Sequence, residues 1–218
     1  MAAVVVGPSL DEVRRALKAP KPGLSAQKRM AVRPRPGGHH VPPGHQPKDG
    51  GVLILLYPKD AQLHLPLTRR TDTVANHKGQ ISLPGGARET GDRSLEETAL
   101  RETREELNID LQRVEILGAL TPLYIPVSGY LIHPFVAFCA ERPDFNPDPI
   151  EVAELLEVPL ASLLDPATRR EEDWKLVGMT VRVPFFQVGE HKVWGATAMV
   201  LSEFVVILQR ANAGCDSG

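Results

Sequence analysis

The sequence has little cysteine, which limits the classes of protein it can belong to. Two cysteines occur among 218 residues, Cys139 and Cys215, and they are far apart. Cys139 lies in an apolar, strand-like run and is expected to be a small core residue, whereas Cys215 lies in a polar tail. A reduced, cytoplasmic setting is therefore the default expectation.

Long apolar runs and an excess of charge of one sign are also missing. No stretch of about 18 apolar residues occurs, so we expect no membrane-spanning helix. The start, MAAVVVGPSLDEVRR, has neither a positive first region nor an adequate apolar one, so we expect no secretory signal. A net charge of −2 gives no indication of a nucleic-acid or membrane partner.

The length and the distribution of residue types predict one main domain preceded by an arm. We divide the chain into an N-terminal helix and arm at 1–49, a globular domain at 50–210 and a flexible tail at 211–218. Ser9 is expected to cap a short helix that ends at Lys18. From Ala19 to Gly51 the chain is dense in proline and glycine, so this arm should bury little and be extended and partly mobile.

Alternating and apolar runs predict an α/β fold with a mixed sheet. Two strands, Val52–Tyr57 and Gln62–Arg69, should be joined by a turn at 58–61. The other expected elements are strands at 114–123, 130–140 and 151–158, a helix starting in 159–164, a hairpin of 174–184 with 185–193 that turns at Gly189-Glu190, and a closing helix from Trp194 through Leu208.

The chain is organised around Ser82–Ile109, which reads SLPGGARETGDRSLEETALRETREELNI. Ser94 and Glu97 form a capping-box pattern that predicts the start of a helix, and Asn108 suits the left-handed residue that ends one. At about 100° per residue, a mainly apolar stripe should face a sheet. It consists of Ala99, Leu100, Thr103 and Leu107.

A second stripe on this helix is acidic and consists of Glu102, Glu105 and Glu106. Like charges at this spacing repel by a few tenths of a kcal/mol per pair. Mg²⁺ or Mn²⁺ would offset the repulsion, because both ions prefer oxygen ligands. The alternative is a solvated acidic face paired with nearby arginines. The preceding glycines, Gly85 and Gly86, favour the metal site because they let the backbone approach a ligand or metal closely.

The stretch resembles the Nudix box, G-x5-E-x7-R-E-U-x-E-E-x-G-U, in which U is bulky and apolar. Gly86 supplies the first glycine, and Asp92 stands where the first glutamate belongs. One additional residue precedes Arg101-Glu102, Thr103 replaces the apolar U, and Asn108 replaces the last glycine. The residues that fall in register are Arg101, Glu102, Glu105, Glu106 and Ile109.

Just upstream, Leu67–Gly86 (LTRRTDTVANHKGQISLPGG) resembles the signature of the coenzyme A diphosphatase branch of that family. The aspartate and the longer spacing in the box are also typical of this branch. The Trp194–Thr197 run resembles the branch as well, where it mainly docks the closing helix. The resemblance covers roughly 50–209.

The resemblance implies a Nudix-like α/β/α sandwich and a site built from both motifs. The implied metal ligands for Mg²⁺ or Mn²⁺ are Glu102, Glu105, Glu106 and the Gly86 carbonyl. The implied catalytic residues are Glu102, Glu105 and Arg101, with Arg101 orienting the carboxylates, and Glu151 and Glu154 are candidate additional acids. The implied substrate-binding residues are Arg70, His77, Lys78, Gln80 and Gly85.

The implied activity is metal-dependent hydrolysis of coenzyme A or its thioesters to 3′,5′-ADP and 4′-phosphopantetheine. We expect Arg70 to read the 3′-phosphate of coenzyme A, with Lys78 as second choice, since cations suit phosphate. Two alternatives stay open: a diphosphatase for ADP-ribose or another nucleoside diphosphate derivative, and a non-catalytic binding module. We expect a small-molecule substrate, no nucleic acid and no membrane, and we allow for a homodimer.

Overall fold

The computed structural model describes residues 7–71, 79–111, 113–176 and 178–215. Two predicted substrate residues, His77 and Lys78, lie outside the described residues. No helix in these ranges is long and apolar enough to cross a membrane.

Runs of strands are separated by helices along the described chain. The helices are α1 Leu10–Lys18, α2 Leu24–Gln27, α3 Leu95–Leu107, α4 Leu160–Leu164 and α5 Gly195–Cys215. The strands are β1 Lys48–Lys59, β2 Gln62–Arg70, β3 Ile81–Ser82, β4 Gly85–Ala87, β5 Val114–Ala119, β6 Leu123–Ile125, β7 Tyr130–Cys139, β8 Val152–Pro159, β9 Arg169–Leu176, β10 Met179–Val188 and β11 His191–Trp194.

The large sheet is mixed, as predicted. Its strand order is β3-β2-β1-β7-β5, with β4 paired to β1, β6 to β7 and β8 to β2. Strands β1 and β7 run parallel, and the other pairs are antiparallel. Strands β9, β10 and β11 form a separate antiparallel sheet. The α/β class is therefore confirmed.

Strand β1 divides the core because successive side chains of a strand point to opposite faces. Leu53 and Leu55 belong to a cluster with Ala99 of α3. Ile54 and Leu56 belong to the larger cluster, which includes residues of α1 and α5. All four are 0% exposed. The sheet thus has α3 on one face and α1 with α5 on the other, which is the predicted sandwich.

Gly51 on β1 lets α3 lie directly against the sheet. A Cβ atom at this position would be 2.4 Å from the Leu95 carbonyl oxygen and 2.8 Å from the Ala99 amide nitrogen. Both are backbone atoms of α3, so no side-chain rotation could relieve the overlap. Gly51 therefore sets the distance between the sheet and the helix that carries the acidic stripe.

The expectation that the arm buries little is wrong for its first part. Ala26, Met30 and Ala31 are at most 3% exposed, and Met30 and Ala31 belong to the larger cluster. Glu203 of α5 accepts hydrogen bonds from the Gly23 amide and from other donors, and it is 0% exposed. The other donors are the Gln27 side chain and both the amide and the hydroxyl of Thr121. Composition could not predict this, because the partners lie 82 to 180 residues away.

Several element boundaries also differ from the prediction. The strand expected at 114–123 is two strands, because the chain leaves the ladder after Ala119. The strand expected at 174–184 is interrupted near Gly178, whose φ is +78°. The capped first helix is confirmed. The turn expected at 58–61 is shorter, because Pro58 and Lys59 pair with β2 and only Asp60 and Ala61, both with positive φ, form the turn. The Thr197 hydroxyl donates to the Ile81 carbonyl at 3.2 Å and so joins α5 to β3.

We predict that Gly51→Ala destabilises the protein by about 1–3 kcal/mol, the range for overpacking a close contact. The helix must move away from β1, so activity should fall as well. Gly91→Ala is the matched control, because nothing lies within 4 Å of the added Cβ and no positive φ applies there. Chemical denaturation of both variants measures the difference. Equal stabilities would show that the contact between α3 and β1 is not tight.

Candidate active site

Helix α3 starts and ends as its sequence predicts, with one difference at the start. The Ser94 hydroxyl accepts from the Glu97 amide at 3.1 Å, but the Glu97 carboxylate accepts from the Arg93 amide at 2.7 Å. The capping box also predicts that the Glu97 carboxylate accepts from the Ser94 amide, and this part of the prediction is wrong. The Arg93 guanidinium also binds this carboxylate and holds it at Arg93. At the other end, Asn108 adopts the predicted left-handed conformation, with φ 50° and ψ 48°.

The three glutamates of the acidic stripe differ widely in exposure. The side chain of Glu105 is 54% exposed, that of Glu102 is 18% exposed and that of Glu106 is 3% exposed. The stripe therefore runs from solvent into the interior. The solvated alternative therefore describes Glu105, which is paired with Arg101, but not the buried Glu106.

Arg101 is the centre of the hydrogen-bond network around the stripe. Its Nε and Nη2 donate to Asp92 at 2.9 and 3.0 Å, and Nη2 also donates to the Ala87 carbonyl at 3.0 Å. Its Nη1 donates to Glu102 at 3.0 Å and to Glu105 at 2.9 Å. A guanidinium has five N–H groups, and these five bonds use all of them. The Arg101 guanidinium holds the pKa of Asp92 well below its usual range.

Glu106 is a buried carboxylate whose negative charge is only partly balanced by neighbouring groups. Its Oε1 lies 3.7 Å from Nη1 of Arg70, and its Oε2 has no hydrogen-bond partner among the described residues. Burial raises the pKa of Glu106 to about 8, against a lowering by Arg70 and by a hydrogen bond from the Gly85 backbone. The unpartnered oxygen costs free energy unless a cation or donor meets it.

Gly86 lies directly against Glu102. A Cβ atom at position 86 would be 2.4 to 2.5 Å from the carboxylate atoms of Glu102, so with any other residue here this carboxylate would have to shift. Burial raises the pKa of Glu102, with Arg101 opposing it. The sequence motif therefore brings its glycine and its first helical glutamate into contact.

Of the two additional acids considered, only Glu151 interacts with the stripe. Its negative charge contributes to raising the pKa of both Glu102 and Glu106. Glu154 instead binds Arg69 at 3.0 Å and His191 at 3.2 Å. The turn that carries Glu151 is attached to the end of α3, because the Asp148 amide donates to the Glu106 carbonyl at 2.9 Å.

The upstream signature meets the acidic helix through Arg70 and Gly85. Strand β2 pairs with β3, and the Arg70 amide donates to the Gln80 carbonyl at 3.1 Å. These contacts place the Arg70 side chain at Glu106, with Gly85 bonded to the same carboxylate. Arg70, Gln80 and Gly85 thus belong to one region, although the sequence did not show that Arg70 pairs with an acid of the helix.

The donor set of this region consists of oxygen atoms, which suits a hard divalent cation. Within the described ranges, no three histidine, cysteine or acidic side chains are gathered closely enough to hold a metal, because the glutamates point to two different arginines. The unpartnered Oε2 of Glu106 and the Glu102 carboxylate that lies against Gly86 nevertheless fit a metal ion in their chemistry.

Comparison with known proteins agrees with these features. The family model of the NUDIX domain matches residues 47–177, well over half of the chain. The chain belongs to the Nudix family. As a Nudix hydrolase it acts on diphosphate-containing substrates, and members of this family generally use divalent ions such as Mg²⁺ or Mn²⁺.

Named relatives are bacterial and plant Nudix proteins. The chain is 37% identical over 156 residues to the uncharacterized Nudix hydrolase NudL of Photorhabdus laumondii, covering 72% of this chain and 81% of that protein. It is 34% identical to the chloroplastic Nudix hydrolase 22 of Arabidopsis thaliana, covering 79% and 60%. The NUDIX domain of Shewanella oneidensis NrtR, solved with ADP ribose, aligns with a TM-score of 0.45 and 23% identity over 55% of this chain and 77% of that one.

A second partly buried carboxylate, Glu157, has the opposite electrostatic environment to Glu106. It accepts hydrogen bonds from Arg142, Lys59 and the Tyr57 hydroxyl at 2.8 to 3.0 Å. These bonds, those from Arg142 above all, lower the pKa of Glu157 to about 2. Its charge therefore stabilises the fold, whereas the charge of Glu106 opposes it.

We predict opposite stability changes for the same substitution at these two positions in metal-free protein. Glu106→Gln should leave the melting temperature unchanged or raise it, because folding of the wild type must protonate or bury a carboxylate whose ordinary pKa is 4.5, and glutamine requires neither. Glu157→Gln should cost about 1–3 kcal/mol, since charge-assisted hydrogen bonds are lost and Arg142 is partly exposed. Thermal unfolding at pH 7 in chelator measures both, and a clear loss in Glu106→Gln would contradict the assignment of an uncompensated charge.

The difference in stability between the wild type and Glu157→Gln should also depend on pH. A lowered pKa means that the contribution is complete above the ordinary value of 4.5 and disappears as the pH falls towards about 2. The wild type and Glu157→Gln should therefore converge in stability over this range.

Proposed function

We propose that this Nudix hydrolase cleaves the diphosphate linkage of coenzyme A and its thioesters, yielding 3′,5′-ADP and (acyl-)4′-phosphopantetheine. The supporting observation is the contact between Arg70 and Glu106, 3.7 Å apart. It joins the segment that resembles the coenzyme A diphosphatase signature to the acidic helix of the Nudix box. This contact supports one shared site for the two motifs, and the resemblance of the upstream segment is what favours coenzyme A as the substrate. A cytoplasmic setting is part of this proposal, and a homodimer stays a prediction.

In this proposal Mg²⁺ or Mn²⁺ is held by Glu102, Glu105 and Glu106, with the Gly86 carbonyl as a further ligand. The bound metal would neutralise phosphoryl oxygens and lower the pKa of a coordinated water. The unpartnered Oε2 of Glu106 supports this ligand set, since it is the described carboxylate oxygen most in need of a cation. A non-catalytic module would have no reason to bury it.

The remaining roles follow from the contacts of each side chain. Arg101 fixes Glu102 and Glu105 by binding one oxygen of each carboxylate. Glu102 and Glu151 are the candidate proton acceptors, because burial raises the pKa of Glu102 and Glu151 lies close enough to add to that rise. Arg70 would bind the diphosphate oxygens with charge-assisted hydrogen bonds once a ligand replaces its long contact with Glu106.

The position of Arg70 changes the expected recognition of the 3′-phosphate. The Arg70 guanidinium lies beside Glu106, where it would contact the diphosphate of the substrate. Because every candidate substrate has a diphosphate, we assign Arg70 to that group and not to the 3′-phosphate. Lys78 keeps that assignment as a prediction. The same observation keeps ADP-ribose or a related diphosphate as the second candidate substrate, because Arg70 does not discriminate between the two.

We predict that activity is negligible in chelator and is restored by Mg²⁺ or Mn²⁺. Glu105→Gln and Glu106→Gln should each lower kcat at least about 100-fold, the scale expected when a metal ligand is lost. Glu96→Gln is the control, since this residue lies on the first turn of the same helix. Full turnover in exhaustive chelator, or near-normal turnover in both ligand variants, would refute the metal site.

We predict that kcat/KM is higher for coenzyme A than for dephospho-coenzyme A by roughly 10-fold or more, given about 1.5–3 kcal/mol for a charged hydrogen bond. Lys78→Ala should reduce this ratio. Arg70→Ala should lower both rates while keeping the ratio. The test measures coenzyme A, dephospho-coenzyme A and ADP-ribose on one preparation, with product masses. If ADP-ribose is the best substrate, the coenzyme A proposal is wrong and the diphosphatase remains.

A further inference from the structure

Asp92 is a short acid at a position where the Nudix pattern has glutamate, and the structure shows what surrounds it. The carboxylate is almost buried, with 7% of the residue exposed. Its Oδ1 accepts from Arg101 Nε at 2.9 Å. Its Oδ2 accepts from Arg101 Nη2 at 3.0 Å, from the Glu89 amide at 2.9 Å and from the Thr98 hydroxyl at 2.9 Å. No sequence motif identified Glu89 or Thr98, and of these two Thr98 is the one that binds Asp92 through its side chain.

Thr98 approaches Asp92 from the same helix face as Arg101. The two residues are three positions apart, which places their side chains next to each other on α3. Thr98 is 0% exposed, and its hydroxyl lies 2.9 Å from Asp92 and 3.2 Å from the Ser94 carbonyl. A hydroxyl has one proton to donate, and the charged acceptor is both closer and stronger.

We infer that Thr98 is a positioning residue for hydrolysis, an inference that rests on the metal site proposed above. By holding Asp92 in place, Thr98 fixes the plane of the Arg101 guanidinium. That plane determines where Nη1 meets Glu102 and Glu105. An aspartate is one methylene shorter than the glutamate of the family pattern, and the Thr98 hydroxyl on α3 gives this short side chain an anchor on the helix.

If Thr98 had a purely structural role, substitutions at this position would have different effects. If Thr98 only filled space, the isosteric valine would serve equally well. If its hydroxyl only satisfied the helix backbone, Thr98 would resemble Thr103, which is also 0% exposed and donates to the Ala99 carbonyl at 2.7 Å. Thr103 lies in the same helix and touches neither Asp92 nor Arg101 in the described contacts. Comparing substitutions at Thr98 and Thr103 therefore distinguishes a positioning role from a packing role.

The experiment compares Thr98→Val, Thr98→Ser and Thr103→Val with the wild type. Mn²⁺ affinity is measured from the free-ion signal in electron paramagnetic resonance. The Arg101 Nε–H resonance is followed by ¹⁵N NMR in metal-free protein, and kcat and KM are measured separately. We expect Thr98→Val to shift or broaden the Arg101 resonance, to weaken Mn²⁺ binding about 5-fold or more and to lower kcat about 10-fold, with a smaller change in KM. Thr98→Ser should recover most of each loss, and Thr103→Val should change none of them.

The outcomes distinguish this inference from the proposed function. If the wild type does not bind Mn²⁺, or if Glu106→Gln does not weaken the binding, the proposed metal site itself is wrong. If the wild type binds Mn²⁺ but Thr98→Val matches Thr103→Val in the three readouts, Thr98 has no positioning role. A fall in melting temperature alone, without a change in the Arg101 resonance or in Mn²⁺ affinity, also overturns the inference.

Discussion

The ion pair between Arg101 and Asp92 is the interaction on which the geometry of the site depends. Every N–H of the guanidinium has an acceptor, so turning the ring breaks several bonds at once. The acceptors come from β4, from the loop after it and from α3 itself. Arg101 therefore ties the glycine-containing loop to the acidic stripe. Because both partners are largely shielded from solvent, this pair is screened less than a surface salt bridge.

The site accumulates negative charge that the fold alone does not neutralise. Two arginines, Arg101 and Arg70, face five carboxylates: Glu89, Asp92, Glu102, Glu105 and Glu106. Desolvation makes the excess most costly at Glu106, as its raised pKa indicates. Such a cost is typical of functional sites, where groups are held ready for a ligand that completes the charge balance.

The chain supports this site from both faces of the sheet. Gly51 lets α3 lie close on one face, while α1, α5 and the first part of the arm fill the other. Glu203, fully buried and bonded to three partners, links the arm to α5 and to the segment after β5. Because a close-packed core is rigid and transmits strain, structural changes in the arm should also displace the sheet on which α3 packs.

The sequence by itself determined the features that depend on neighbours along the chain. Helix α3, its left-handed end at Asn108, the turn at Asp60-Ala61 and the family resemblance all follow from local patterns, because turn and helix preferences act within a few residues. The acidic stripe also follows from helical spacing alone. The α/β class followed from alternating and apolar runs for the same reason, whereas the site at Gly86 and the glutamates stays a prediction.

Tertiary structure alone decided which charges meet and how deeply each is buried. The pairing of Arg70 with Glu106, the hydroxyl of Thr98 on Asp92 and the closeness of Glu151 to the stripe each join separate segments or depend on side-chain direction. The burial of the arm at Met30 depends on α5, which is far away in sequence. Composition and periodicity contain no information on such contacts, because the same residues in solvent would form neither the pairs nor the core.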